Sequence, residues 1–188
     1  MEKLDKTLGE NIRIMAMVIA DICHRSTLNM ACPINLTRNQ FTLLKILATD
    51  GIFQISDLAR LLDISNAATS KNIDRLEQLG LAARQAKPED RRSFEIILLD
   101  DGREIVKEYE RIIDFKHQHV IDQFTPDEKV KLLDMIQRII RYTLAEEQDT
   151  EVICLQCGGH CGDECVVQFS KGTCLMPHKN NAPGPFPR

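Results

Sequence analysis

Residues 65–80, SNAATSKNIDRLEQLG, constrain the fold more than any other stretch. Ser65 and Asn66 are helix-start residues whose side-chain oxygens can cap free backbone N–H groups. Gly80 can end the helix, because glycine enters the left-handed turn at low cost. Between them, Thr69, Ile73, Leu76 and Gly80 fall on one side at helical spacing. Ala67, Ala68, Lys71, Arg75 and Gln78 fall on the other. Small residues followed by two cations suit a helix whose first half approaches nucleic acid. The alanines let the backbone near the duplex, and the cations meet phosphates or a guanine edge. An ordinary amphipathic surface helix has the same pattern, so the flanks must decide.

Upstream, ISDLARLLDIS places Ile55, Leu58, Leu61 and Leu62 on one face of a short helix, with Ser56 as its expected cap and Asp57 in its first turn. A short connection over residues 63–65 leads into the next helix. Two short helices joined this tightly predict a helix-turn-helix, whose second helix reads the major groove. Downstream, residues 81–85 and 94–99 are strand-like, and Lys87-Pro88-Glu89-Asp90-Arg91-Arg92 between them is a charged turn. A helix-turn-helix followed by a basic-tipped hairpin is a winged helix.

The run DLARLL, then SNAATSKNIDRLEQLGL, then EDRRS ahead of a strand resembles the multiple-antibiotic-resistance regulator (MarR) family. That family's wing carries an Asp-x-Arg signature, matched here by Asp90 and Arg92. The resemblance implies that Asp90 braces the wing and that Arg92 also reaches the minor groove or backbone. It assigns base contacts to Ser70 and Lys71, with Asn66, Ala67, Arg75 and Arg91 completing the expected DNA-binding set. The implied fold is mainly α with a small β-hairpin wing: a winged helix-turn-helix whose long N- and C-terminal helices form a dimer interface. The implied protein is a homodimer on a pseudopalindromic operator, usually a repressor, often released by a small-molecule effector or by oxidation. The resemblance spans roughly residues 5–147, within a domain expected over residues 1–147 whose winged helix-turn-helix core lies at 37–99. Residues 148–188 lie outside the family pattern.

Composition is that of an ordinary soluble chain, 43% hydrophobic and 28% charged over 188 residues. Net charge is −4, which argues against nonspecific coating of nucleic acid but leaves local basic patches open. No run reaches membrane-spanning length, and MEKLDKTLGE lacks a secretory pattern, so a cytoplasmic protein is expected. Residues 55–98 hold seven Lys/Arg and seven Asp/Glu. Lys71, Arg75, Arg84, Lys87, Arg91 and Arg92 could still be gathered on one surface.

The flanking helices are legible from period and caps. Leu8, Ile12, Met15, Ile19 and Ile22 form a heptad-like seam on a helix expected over residues 4–27. Cys23 reads as a small core residue. Cys32, in the connection that follows, reads as a peroxide sensor only if its thiol is activated, and no neighbouring residue in the sequence does that. Thr37 and Gln40 form a capping box for a helix burying Phe41, Leu44 and Leu47. A long helix over about 101–123 carries Ile105, Tyr109, Ile112, Ile113 and Val120, while His117 and His119 point apart into solvent. Thr125-Pro126-Asp127-Glu128 starts a last helix striped with Val130, Leu133, Ile136, Ile140 and Leu144.

The tail carries separate chemistry. Cys154, Cys157, Cys161, Cys165 and Cys174 follow C-x2-C-x3-C-x3-C-x8-C, five of the chain's seven cysteines within twenty-one residues. His160 and His178 are spare nitrogen ligands. In a cytoplasmic chain this crowding points to metal or redox chemistry. Zinc wants four thiolate or imidazole ligands in a tetrahedron. An iron–sulfur cluster takes four thiolates, often closely spaced. Both fit, and a metal-free thiol switch is the third reading. Two functions follow. One is a dimeric, sequence-specific regulator binding double-stranded DNA, with a tail that senses metal or redox state or is structural. The other is an iron–sulfur or zinc enzyme or electron carrier using the winged helix as a protein-interaction module. No nucleophile–base pair, phosphate loop or carboxylate pair supports a catalytic assignment.

Overall fold

A computed structural model describes residues 2–49, 53–86, 94–145, 153 and 165–167. The chain begins with a helical run, α1 (Glu2–Met17), a π-helical segment (Val18–Cys23) and α2 (His24–Ala31). It continues through α3 (Arg38–Leu47), α4 (Ile55–Leu62), α5 (Asn66–Gln78), β1 (Ala82–Ala86), β2 (Phe94–Leu98), α6 (Asp100–Ile121) and α7 (Pro126–Ala145). This is the expected mainly helical, winged helix-turn-helix order.

Local chemistry explains most boundaries. At α3, the Gln40 N–H donates to Thr37 Oγ1 at 3.3 Å and the Thr37 N–H to Gln40 Oε1 at 3.0 Å. Thr125 and Glu128 repeat the box ahead of α7. The expected Ser56 cap of α4 is a correction. The cap is Gln54, whose N–H donates to Asp57 Oδ2 at 2.9 Å, and Ser56 lies inside the first turn. Asp63 ends α4 with φ +51°, a left-handed conformation that aspartate tolerates better than most side chains. Gly80, at φ +70°, ends α5 with paired bonds, Leu81 N–H to Leu76 O and Gly80 N–H to Glu77 O.

The first helix differs from the single run over 4–27. A π turn inserts an extra residue and changes helical phase. Burial changes with it: α1 has no buried residue, whereas Thr27, Leu28 and Ala31 of α2 are buried. The apolar seam ahead of the turn stays outside, with Leu8 at 58% exposure.

Phe41, Leu43, Leu44, Leu58, Ile73, Leu76, Leu81 and Ile96 fill the core, joined by Val106, Tyr109 and Ile112 of α6. Val120, expected on that stripe, is exposed because α6 has run past the core. The strands pair antiparallel from Ala82↔Leu98 to Ala86↔Phe94, and Phe53 bridges Ile96 on the other edge. Gly102 marks a close approach: a Cβ there would lie 2.3 Å from the Leu81 carbonyl oxygen and 2.7 Å from Leu98 Cδ1.

His24, Phe41 and Tyr109 join α2, α3 and α6. Their ring centroids lie 4.5–5.7 Å apart, and His24 Nδ1 hydrogen-bonds the Tyr109 hydroxyl. Burial, then the nearby Lys45 and Arg38 cations, hold the His24 imidazolium below the usual histidine range. Burial pushes Tyr109 up to about 12.

Two outcomes follow. Gly102→Ala in an open helix would stabilise by about 1 kcal/mol. Here the added methyl meets the Leu81 carbonyl, and destabilisation of roughly 1–3 kcal/mol is expected. A urea midpoint at or above wild type would contradict that packing. For His24, the folded pKa lies below the unfolded one, so the unfolded chain binds the proton more readily. Its contribution is therefore present above pH 6.5, the ordinary histidine value, and is lost as pH falls toward the folded pKa. Urea unfolding at pH 5 and pH 7 should show a larger gain with pH for wild type than for His24→Gln. Equal gains would mean that His24 is not held neutral.

Candidate nucleic-acid interface

The surface is built on α5. The Ser65 hydroxyl accepts from the Ala68 N–H at 3.2 Å, and the buried Thr69 hydroxyl donates back to the Ser65 carbonyl at 3.1 Å. Thr69, Ile73 and Leu76 are fully buried. That fixes the rotation of the helix and leaves Asn66, Ala67, Lys71 and Arg75 exposed, with Ser70 half-buried. Gln40 Nε2 to Asn72 Oδ1, 3.4 Å, adds a polar tie from α3. The α4–α5 connection is tight because Asp63 takes the left-handed turn and the Ile64 N–H returns to the Ala59 carbonyl.

Lys71 and Arg75 make no ion pair among the described residues, so their charges face solvent. Arg84 is different and corrects the expectation that it joins the basic surface. From β1 its guanidinium donates to Asp74 Oδ1 at 2.6 Å, to Glu77 Oε2, and to Ser70 Oγ at 3.1 Å. Its backbone N–H donates to Glu77 Oε1 at 2.7 Å. Ser70, expected to face DNA, is thus also tied to the wing. This clamp was not legible in the sequence, because Asp74 and Glu77 meet Arg84 only once β1 folds back along α5.

Of the remaining expected DNA-binding residues, Asp90, Arg91 and Arg92 lie outside the described residues, as does Lys87. So do Cys154, Cys157, Cys161 and Cys174, with His160 and His178. Cys165 alone of the expected metal ligands is described. It is buried, and Val167 beside it packs against the core of the winged helix. Among the described residues, no three metal-ligating side chains converge. Cys32 is buried, and its thiol donates to the Ile34 carbonyl. Burial pushes this thiol up, so its geometry does not favour the reactive thiolate. Cys23 is half-buried, less enclosed than a core residue would be.

A family model described as MarR family matches residues 36–94, which run from the start of α3 into the second strand of the wing. Over that stretch the chain is similar to the MarR family. It is 29% identical over 108 residues to an uncharacterised HTH-type transcriptional regulator, YdgJ, of Bacillus subtilis. That match covers 55% of this chain and 63% of YdgJ, so the chain spans under two-thirds of that relative's length. The YusO protein from Bacillus subtilis shares the fold at TM-score 0.61 and 20% identity, covering 72% of this chain and 96% of its own. A MepR mutant of S. aureus, solved bound to an oligodeoxyribonucleotide, shares it at TM-score 0.59 and 18% identity, over 72% and 97% of the two chains. The curated relatives it matches carry the names of HTH-type transcriptional regulators. The rival reading, a metalloenzyme or electron carrier, draws no support from these likenesses.

Proposed function

We propose that this chain is a MarR-type, sequence-specific DNA-binding regulator, acting as a homodimer on a pseudopalindromic operator and usually repressing. The outer face of α5 carries this reading. Asn66 and Ala67 allow close approach, Lys71 and Arg75 supply exposed charge, and the buried face holds the helix at one rotation. Arg91 and Arg92 would add the wing's charge, braced by Asp90. The relative YdgJ carries a regulator's name, and the MepR mutant was solved on an oligonucleotide, which supports the same reading. For the dimer, the support is the apolar surface left on the terminal helices, with Leu8 and Met15 of α1, Ile19 and Ile22 of the π segment, and Val130 and Leu133 of α7 exposed. A small-molecule effector fits the same family reading. No described helix is long and apolar enough to cross a membrane, and the working place is the cytoplasm, with the DNA.

The test is fluorescence anisotropy with the DNA upstream of the protein's own coding region. Wild type should saturate at two chains per operator, with half-sites about 10 base pairs apart centre to centre. Lys71→Ala should cost about 1–3 kcal/mol of affinity and flatten the salt dependence by about one unit. Unchanged binding by Lys71→Ala would remove α5 as the reading element. One chain per operator would remove the dimer.

For the tail we propose that Cys154, Cys157, Cys161 and Cys165 hold one metal centre, with Cys174 as alternate ligand or resolving thiol. Zinc and an iron–sulfur cluster both suit that donor set. Either would make the tail's order depend on metal, because ligand binding and folding are coupled in such short segments. Protein purified anaerobically without chelator should be brown for iron–sulfur, or colourless with about one zinc per chain. Neither metal, with proteolysis unchanged by chelation, would leave only the thiol switch.

A further inference from the structure

We propose that Arg84 is a positioning residue for DNA recognition, holding α5 and the wing at one mutual geometry without itself touching the duplex. The inference rests on the DNA-binding reading above and adds a residue to it. Arg84 is the first-strand residue whose side chain reaches three points along α5. Its guanidinium joins Ser70, Asp74 and Glu77, spaced four and three residues apart and therefore stacked along one face of the helix. The backbone N–H of Arg84 also binds Glu77, so strand and helix are tied by main chain and side chain together. The planar fork of arginine is suited to such convergent acceptors, and lysine could satisfy only part of them.

Two consequences separate this role from a phosphate contact. The Arg84 cation is already matched by two carboxylates and is mostly enclosed, its side chain 23% exposed. It adds little to the counterion release that sets salt dependence. The bond to Ser70 occupies one lone pair of Oγ, so the hydroxyl of that residue is held toward the wing. Loss of Arg84 should therefore loosen the orientation of the reading helix against the wing, and harm specific binding more than nonspecific binding.

The experiment measures Kd for the full chain against two probes, the DNA upstream of its own coding region and a random-sequence duplex of equal length, over a salt series. Arg84→Ala should weaken the upstream probe by about tenfold and the random duplex, which senses only the two uncovered carboxylates, by much less, with both salt slopes nearly unchanged. Arg84→Lys should recover only part of that loss. The paired variant Asp74→Asn with Glu77→Gln keeps the hydrogen-bond acceptors but strips the charge that cages Arg84. It should bind the random duplex more tightly and steepen the slope by up to about one unit. If Arg84→Ala weakens both probes equally and flattens the slope, Arg84 is a phosphate contact and the proposal fails. An unchanged ratio between the probes also overturns it. If Arg84→Ala does not fold, the paired variant decides alone, and an unchanged slope there counts against a caged cation. Wild type that binds neither probe overturns the DNA-binding reading itself, a result distinct from the other two.

Discussion

Burial of Thr69, Ile73 and Leu76 on one side of α5 is the interaction on which the rest of the surface depends. These three side chains are fully enclosed where α5 packs on α3, α4 and β1. Burying the two aliphatic ones contributes about 1.5–3 kcal/mol each. Because the helix cannot turn without exposing them, its other side is fixed outward. Lys71 and Arg75 are therefore presented by the core, not by any contact of their own. Thr69 belongs to the core only because its hydroxyl bonds back to the Ser65 carbonyl; unpaired, it would cost desolvation.

How far this was legible depends on the range of the interactions concerned. Caps made by residues three apart, Thr37 with Gln40 and Thr125 with Glu128, are written locally and were readable. So was the α5 start at Ser65 and its stop at Gly80. The cap of α4 was misplaced by two residues because Ser56 is the better capping residue by type, while Asp57 reaching back to the Gln54 N–H sets the actual start. The π turn at Val18–Cys23 has no glycine or proline to announce it. Gly102 and Arg84 belong to a third kind. Their roles depend on Leu81 and Glu77, respectively, across a turn whose closure no periodicity encodes.

The terminal helices pose a physical question of their own. An amphipathic helix gains most of its stability from packing its apolar face, not from propensity. Yet α1 buries nothing within the chain, and α7 buries only Leu144. Helices of 16 and 20 residues with that much uncovered apolar surface are poor candidates for stable isolated elements. A second copy of the chain offers the same faces and so the simplest cover by symmetry. The tail begins where α7 ends, and at Val167 it returns to the core. A metal or thiol event at Cys165 would thus occur two residues from a side chain packed on the core.

The charge pattern of α5 makes sense only with Arg84 included. A chain with net charge −4 must concentrate positive charge locally to meet a polyanion. Asp74 and Glu77 sit on the reading helix itself, where uncompensated carboxylates would oppose that approach. Arg84 takes up both from the strand side. The two acids then hold the helix to the wing, and the outer face of the helix keeps Lys71 and Arg75 as its net charge. Ion pairs near a protein surface contribute little to stability on their own, with a median of about 0–1 kcal/mol. The value of this one lies in direction: it sets which charges on α5 remain available and where they point.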